Sequence, residues 1–417
     1  MKWRLALGAL ALFWTLGAAA LSMEEAIDKA LLYSQNVERQ AWLLKQAQSE
    51  TQKSWGSFYP EVNLKYQTYG SNRSDNRGES DGSYALLELR YNLFNGLSDR
   101  FSLQSAKALE EAQEFALEAS RQDLILLVKN SYIALLKARE NLKVSQESVR
   151  LLEEQRRESE NFYQVGYIAK NTLLKVEVEL SNAKQTLLEK ESALAYAKRD
   201  LERYVGEHIV LEGVKEVGIE SALETSEMHL REKMWANRSE LRYLAKNREA
   251  KRYEQRASAS NYYPKVDLVG EYRSYGDSAS LGNRNGTYND RTEGRLEASW
   301  NLFNGFSDQH NQEAKRYAVL AMDSQIVETK RELELQLFEA LEQYRLAQNA
   351  HEVAKLALEQ AKENYRITLN RYKERMETSS ELLDAELLLT KAKSSLLEKR
   401  YSIATSIASL QRVVEAQ

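Results

Sequence analysis

The feature that most constrains this chain is that its pattern is written twice. The pentapeptide Asn-Leu-Phe-Asn-Gly at Asn92–Gly96 recurs 209 residues later, at Asn301–Gly305, followed both times by a hydrophobic residue and Ser-Asp. At the same offset Leu173-Leu174 falls on Leu382-Leu383, and Leu187-Leu188-Glu189-Lys190 on Leu396-Leu397-Glu398-Lys399. Upstream of the pentapeptide the offset is 204, with Tyr59-Pro60 on Tyr263-Pro264, and these two prolines are the only ones in the chain. A pattern recurring at half the length of a 417-residue chain builds one structural unit two times over.

Each copy has the same anatomy. A helical pattern (Met23–Ser57 and Glu227–Asn261) runs into Tyr-Pro, where Pro60 or Pro264 ends the helix and begins extended chain. Alternation follows: Val62, Leu64 and Tyr66 against Asn63, Lys65 and Gln67, with Val266, Leu268 and Tyr272 in the second copy. A polar stretch (Gly70–Ser83; Gly276–Arg291) is expected as an exposed loop. Alternation then resumes, with Leu87, Leu89 and Tyr91 on one face and Glu88 and Arg90 on the other. The second copy places Leu296, Ala298 and Trp300 opposite Arg295, Glu297 and Ser299. Each run is about ten residues, the length of a tilted strand in an outer-membrane barrel. The pentapeptide sits where a strand gives way to a helix. Gly96 and Gly305, with the asparagines beside them, tolerate left-handed backbone there, and Ser98 and Ser307 are placed to cap the next helix.

Two very long helices are expected at Ser98–Gln164 and Ser307–Lys373, each about 67 residues and therefore roughly 100 Å. Shorter ones follow at Thr172–Val205 and Ser380–Val414. Leu135, Ala138, Leu142, Ser145, Val149 and Leu152 keep a 3-4-3-4-3 rhythm, as do Leu173, Val176, Leu180, Ala183 and Leu187, so the helices carry coiled-coil seams. The division expected is a leader at 1–20, a first repeat at 21–205, a linker at 206–226 and a second repeat at 227–417.

The leader is read from Lys2 and Arg4, the apolar run Leu5–Leu16 and the small residues Ala18–Ala20, which together make a secretory signal peptide. The mature chain should start at Leu21. Its formal charge moves from −4 to −6 on losing Lys2 and Arg4, which does not suit nucleic acid. No later stretch approaches the ~18–20 apolar residues of a spanning helix, so a membrane could be crossed only as strands. Four strands cannot close a barrel, because single chains need about eight, so chains must share one; three copies would give twelve. Enzymatic or metal chemistry is not expected, and no cofactor. Four histidines (His208, His229, His310, His351) lack metal-ligand spacing and there is no cysteine.

These residues resemble the TolC-like outer membrane factors over essentially the whole mature chain. The resemblance rests on Leu21-Ser22-Met23-Glu24-Glu25-Ala26, the Tyr-Pro helix ends, the duplicated pentapeptide, Tyr163-x-x-Gly166, and Glu381-Leu-Leu-Asp384-Ala385. It implies a homotrimeric channel: a twelve-stranded barrel in the outer-membrane lipid joined to a long periplasmic α-helical barrel. Such a channel would be the exit duct of an efflux or type I secretion system, docked to a periplasmic adaptor and an inner-membrane transporter. The competing reading is a soluble periplasmic coiled-coil adaptor or structural protein, which would explain the heptads but not the strands. Val165–Asn171 and Glu374–Ser379 interrupt the heptads and should be two tips, with Val165, Gly166, Tyr167, Arg375 and Met376 as adaptor contacts. The family commonly has glycine in both tip turns, and the second tip here, Glu374-Arg375-Met376, departs from that. Glu381 and Asp384, three apart on one helix face, match the family's periplasmic gate. Lys175, from the matching part of the first repeat, is expected to latch against them.

Overall fold

The computed structural model describes residues 21–70, 81–218, 226–276, 279, 281 and 289–415. The expected leader, most of both polar loops and residues 219–225 of the linker lie outside the described residues. The described residues are mainly helical, with four strands. In order these are α1 (Met23–Tyr33), α2 (Gln35–Gly56), β1 (Glu61–Gly70), β2 (Asp81–Phe94), α3 (Ser98–Gln164) and α4 (Lys170–Val205). Then come α5 (Glu227–Asn237), α6 (Ser239–Ser258), β3 (Lys265–Gly276), β4 (Arg291–Ser299), α7 (Ser307–Lys373) and α8 (Ser379–Val414). Both ends of α3 and α4 recur in α7 and α8 at the 209 offset, and α1 recurs in α5 at 204. Among the described residues no helix is long and apolar enough to cross a membrane.

The chain divides into two compact units. One holds residues up to Gln35, Arg121–Ala236 and Leu335–Gln417. Here the heptad positions meet as seams. Val149 and Leu152 of α3 pack with Leu180 of α4 and Leu383 of α8. Leu358 and Ala361 of α7 pack with Leu389 and Ala392 of α8. The Tyr132 hydroxyl lies 2.9 Å from the Leu21 carbonyl and 2.7 Å from that of Lys215, so Leu21 and the linker are held at one point of α3.

The other unit, Asn36–Ser120 with Asn237–Glu334, contains the sheet. Its antiparallel order is β1-β2-β3-β4, so β1 and β4 are both open edges. The register sorts the side chains cleanly. Val62 faces Leu89, Leu64 faces Leu87, Leu87 faces Tyr272 and Leu268 faces Leu296, all on one side. Glu61, Glu88, Arg90, Asp267, Glu271, Arg295 and Glu297 occupy the other. On that side Arg295 pairs with Glu271 at 2.7 Å, and Arg90 lies 3.6 Å from Asp267. The charges thus form a cross-strand network on one face of the sheet.

Three expectations change. Each first helix is broken once, at Ser34 and at Arg238, where ψ turns extended (115° and 114°). The ladders on either side run right up to each break. The Ser34 N–H still donates to Ala30, and the Arg238 carbonyl already accepts from Leu241 and Arg242. Strand pairing also runs further into the first polar stretch than expected, to Gly70 opposite Asp81. Trp300 lies one residue past β4 rather than on its apolar face, and its indole N–H donates to the Tyr262 carbonyl at 3.3 Å.

Candidate functional site: the two helical tips

The turn between α3 and α4 closes on Gly166, whose φ is +76°. Its N–H donates to the Tyr163 carbonyl (3.0 Å), and the Tyr167 N–H reaches back to Phe162 (2.8 Å). That 5→2 and 6→1 pair is a Schellman ending, which wants glycine at its left-handed residue. The second tip repeats it. Arg375 N–H donates to Tyr372 (3.0 Å) and Met376 N–H to Arg371 (2.8 Å), with Arg375 at φ +62°. The departure from glycine therefore leaves the backbone unchanged and places a strained arginine in it. A left-handed non-glycine residue costs about 1–2 kcal/mol.

The strain has a visible counterweight. The Arg375 guanidinium sits 5.0 Å from the Tyr167 ring centroid, and Tyr167 packs edge-on to Phe162 (6.4 Å). Phe162 in turn meets Tyr372 edge-on at 6.4 Å, so each tip holds the other. Within the second tip Arg371 pairs with Glu377 at 2.7 Å. Behind it, Gln155 of α3 donates to the Ser379 carbonyl at 3.2 Å. Burial and the Glu158 carboxylate push the Tyr372 phenol above its ordinary range. Val165, Tyr167 and Met376 stay about two-thirds exposed, an apolar surface that the described residues leave open. An exposed cation–π contact is worth about 0.5–1 kcal/mol. Arg375→Gly should therefore leave unfolding stability within about 1 kcal/mol of the parent, because relief of strain offsets the lost contact. Tyr167→Ala loses the contact with no relief and should destabilise. A double-mutant cycle by thermal unfolding measures both, and a coupling of zero would mean the tips are not tied through this pair.

Glu381 and Asp384 lie on the exposed stripe of α8, while Leu382, Leu383 and Ala385 between and beside them are buried. The cap of α8 is Thr378, whose hydroxyl accepts from the Glu381 N–H at 3.2 Å. Thr378-x-x-Glu381 is a capping-box spelling that would have located this start from sequence. Lys175 is exposed on α4 and forms no ion pair with Glu381 or Asp384 within the chain. The expected latch does not exist inside one copy.

In the sheet-bearing unit Pro60 and Pro264 each sit immediately before a strand, and Gly96 and Gly305 each open a left-handed pair. The second member of each pair is Leu97 or Phe306 (φ +65° and +66°), not asparagine as expected. Nor do Ser98 and Ser307 cap. They are the first helical residues, and Asn95 and Asn304 reach Asp99 and Asp308 instead (2.6 Å each). A Cβ on Gly96 would meet the Ser260 carbonyl oxygen at 2.6 Å, whereas one on Gly305 would meet nothing within 4 Å. Two equivalent glycines thus have unequal surroundings.

The sequence profile of a family described as outer membrane efflux protein matches residues 26–207 and 230–414. Direct comparison with curated proteins gives no match. Among solved structures the fold is similar to CusC (TM-score 0.82, 15% identity, covering 94% of this chain and 91% of that one). It is similar also to the outer-membrane channel OprN (0.83, 16%, 95% and 90%) and to the outer membrane protein VceC of Vibrio cholerae (0.80, 16%, 94% and 95%). At these identities the likeness is one of fold.

Proposed function

Because the chain belongs to the outer membrane efflux protein family, we propose that it is the outer-membrane exit duct of a tripartite efflux or secretion assembly. In this reading three copies share one twelve-stranded barrel, and the helices extend into the periplasm. The tips at Val165–Tyr167 and Arg375–Met376 dock a periplasmic adaptor that links them to an inner-membrane transporter.

The observation that carries this is the sheet: one apolar face, one charged face, and two open edges. Unpaired N–H and C=O groups cannot face hydrocarbon, so β1 and β4 must find partners outside the chain. The repeat supplies the register. Within the chain Leu89 of β2 faces Gly270 of β3. Carried over by the offsets of 209 and 204, that pairing puts Ala298 of β4 opposite Tyr66 of β1 in a second copy. The same shift gives Trp300–Phe303, which follow β4 and pair with no strand among the described residues, the neighbour's Val62–Leu64 to pair with. It also seats Gly305 on the neighbour's Gly56, which likewise has nothing within 4 Å of a Cβ, as Gly96 seats on Ser260. A soluble coiled-coil adaptor offers no use for these edges.

Cysteines test both ends. Tyr66→Cys with Ala298→Cys should form disulfides between copies and give a ladder ending at three on denaturing gels. Cysteines at Tyr167 and Met376 should crosslink to an adaptor in cells. A ladder that stops at one would refute the shared barrel. Adaptor crosslinks from the barrel loops, with none from the tips, would refute the docking.

A further inference from the structure

Glu386 is the most anomalous ionisable group outside the sites described above. It is 3% exposed, on the buried stripe of α8, and its Oε1 has no hydrogen-bond partner. It stands between two apolar contacts of that helix. Leu383 packs on α3 and α4 on one side, and Leu389 packs on α7 on the other. A buried carboxylate without partners is unfavourable by several kcal/mol, so such groups shed their charge instead.

The repeat shows what is missing. The position matching Glu386 is Glu177 of α4, which pairs with Arg156 of α3 at 3.5 Å. The same offset carries Arg156 onto Tyr365 of α7. The second copy has kept the acid and replaced its cation with a phenol.

The charged and titratable neighbours deepen the effect. Glu154 of α3 faces Glu386 and repels its carboxylate. Lys393, whose charge acts on it in the opposite sense, is held by Glu147 at 2.8 Å. Burial raises the Tyr365 hydroxyl, and Glu386, Glu154, Glu147 and Glu158 raise it further, so it stays neutral. We propose that Glu386 is a proton-sensitive contact setting how tightly α8 is held against α3 near the tips: its neutral acid fits the packed helices, and its carboxylate, facing Glu154, pushes them apart. The Lys393–Glu147 pair and the Gln155–Ser379 hydrogen bond join the same two helices and are the restraints this push works against. On the channel reading proposed above, on which the inference rests, this makes the tips more readily opened as the periplasm turns alkaline.

Burial, then Glu154, raises the Glu386 carboxyl from 4.5 to about 7. The packed arrangement therefore binds the proton more tightly than a loosened, solvated one. Its advantage is full below pH 4.5 and is lost as pH rises through about 7. The ratio of loosened to packed forms should rise on the order of seventyfold per chain between pH 5 and 8.

The test uses purified full-length protein carrying spin labels at Arg157 of α3 and Lys391 of α8, with conductance recorded from the same preparation in planar bilayers. In the parent, the fraction at long label separation and the open probability should both rise from pH 5 to 8. Glu386→Gln cannot ionise, and Tyr365→Arg restores the counter-ion of the first repeat; either should flatten both profiles. A Glu386→Gln protein that keeps the parent's pH profile overturns the inference, whatever Tyr365→Arg does. A label response that follows pH in protein giving no conductance would instead overturn the channel reading and leave the contact standing.

Discussion

Leu89→Arg should abolish insertion of the assembled protein into the outer membrane. Leu89 lies mid-strand, opposite Val62 on β1 and Gly270 on β3, and belongs to the apolar face formed with Leu64, Leu87, Leu268 and Leu296. It is 42% exposed, so none of the described residues covers it fully. A charge on the lipid face of a barrel costs about 2–4 kcal/mol near the midplane, and threefold symmetry would apply that cost three times. Glu88→Gln, one residue along and on the charged face, should insert normally. Outer-membrane fractionation and heat-modifiable mobility on gels read both variants. Should Leu89→Arg assemble and insert like the parent, this face meets water and not lipid.

What could be read in advance follows the range of each signal. Repeats and heptads are sums over many residues. Accordingly α3 and α7 begin at Ser98 and Ser307 and end at Gln164 and Lys373 as the periodicity indicates. The two faces of the sheet follow from strict alternation for the same reason. Single-residue events escape such sums. The breaks at Ser34 and Arg238 involve neither glycine nor proline, so neither of the usual helix breakers marks them. The left-handed Leu97 and Phe306 were hidden because the preceding glycine already explains a turn. Arg375 is the sharper case. Its conformation is legible only after the duplicated Schellman hydrogen bonds are seen, and its compensation comes from Tyr167, more than two hundred positions away in sequence. The Tyr365–Glu386 mismatch was legible in principle, since it needs only the 209 offset. The offset becomes informative there only once Glu177 and Arg156 are known to touch. The equivalent glycines Gly96 and Gly305 teach the converse: identical local sequence, with surroundings set by which neighbour the topology supplies.

The second large effect concerns Glu381 and Asp384, proposed as the constriction at the periplasmic end. Acids in the first turns of a helix are stabilised by its dipole by about 0.3–1 kcal/mol, so their presence there is not by itself a gate. Two observations separate the roles. The N-terminus of α8 is already capped by Thr378, whose hydroxyl takes the Glu381 N–H, so the carboxylates are not needed as caps. Both acids also lie on the exposed stripe, with no cation paired to them among the described residues, and Lys175 reaches neither within the chain. Threefold symmetry would set six carboxylates around one axis, and Lys175 from a neighbouring copy would be the cation able to bridge them. Crowded carboxylates attract cations and bind divalent ions. Replacing both with alanine should therefore shift a bilayer-reconstituted trimer away from cation selectivity and weaken its block by divalent ions. Thr378→Ala provides the control. Losing the cap should lower stability by about 1 kcal/mol and leave selectivity as it was. Unchanged selectivity and block in a correctly assembled double-alanine trimer would place the constriction elsewhere and reduce the two acids to dipole partners of α8.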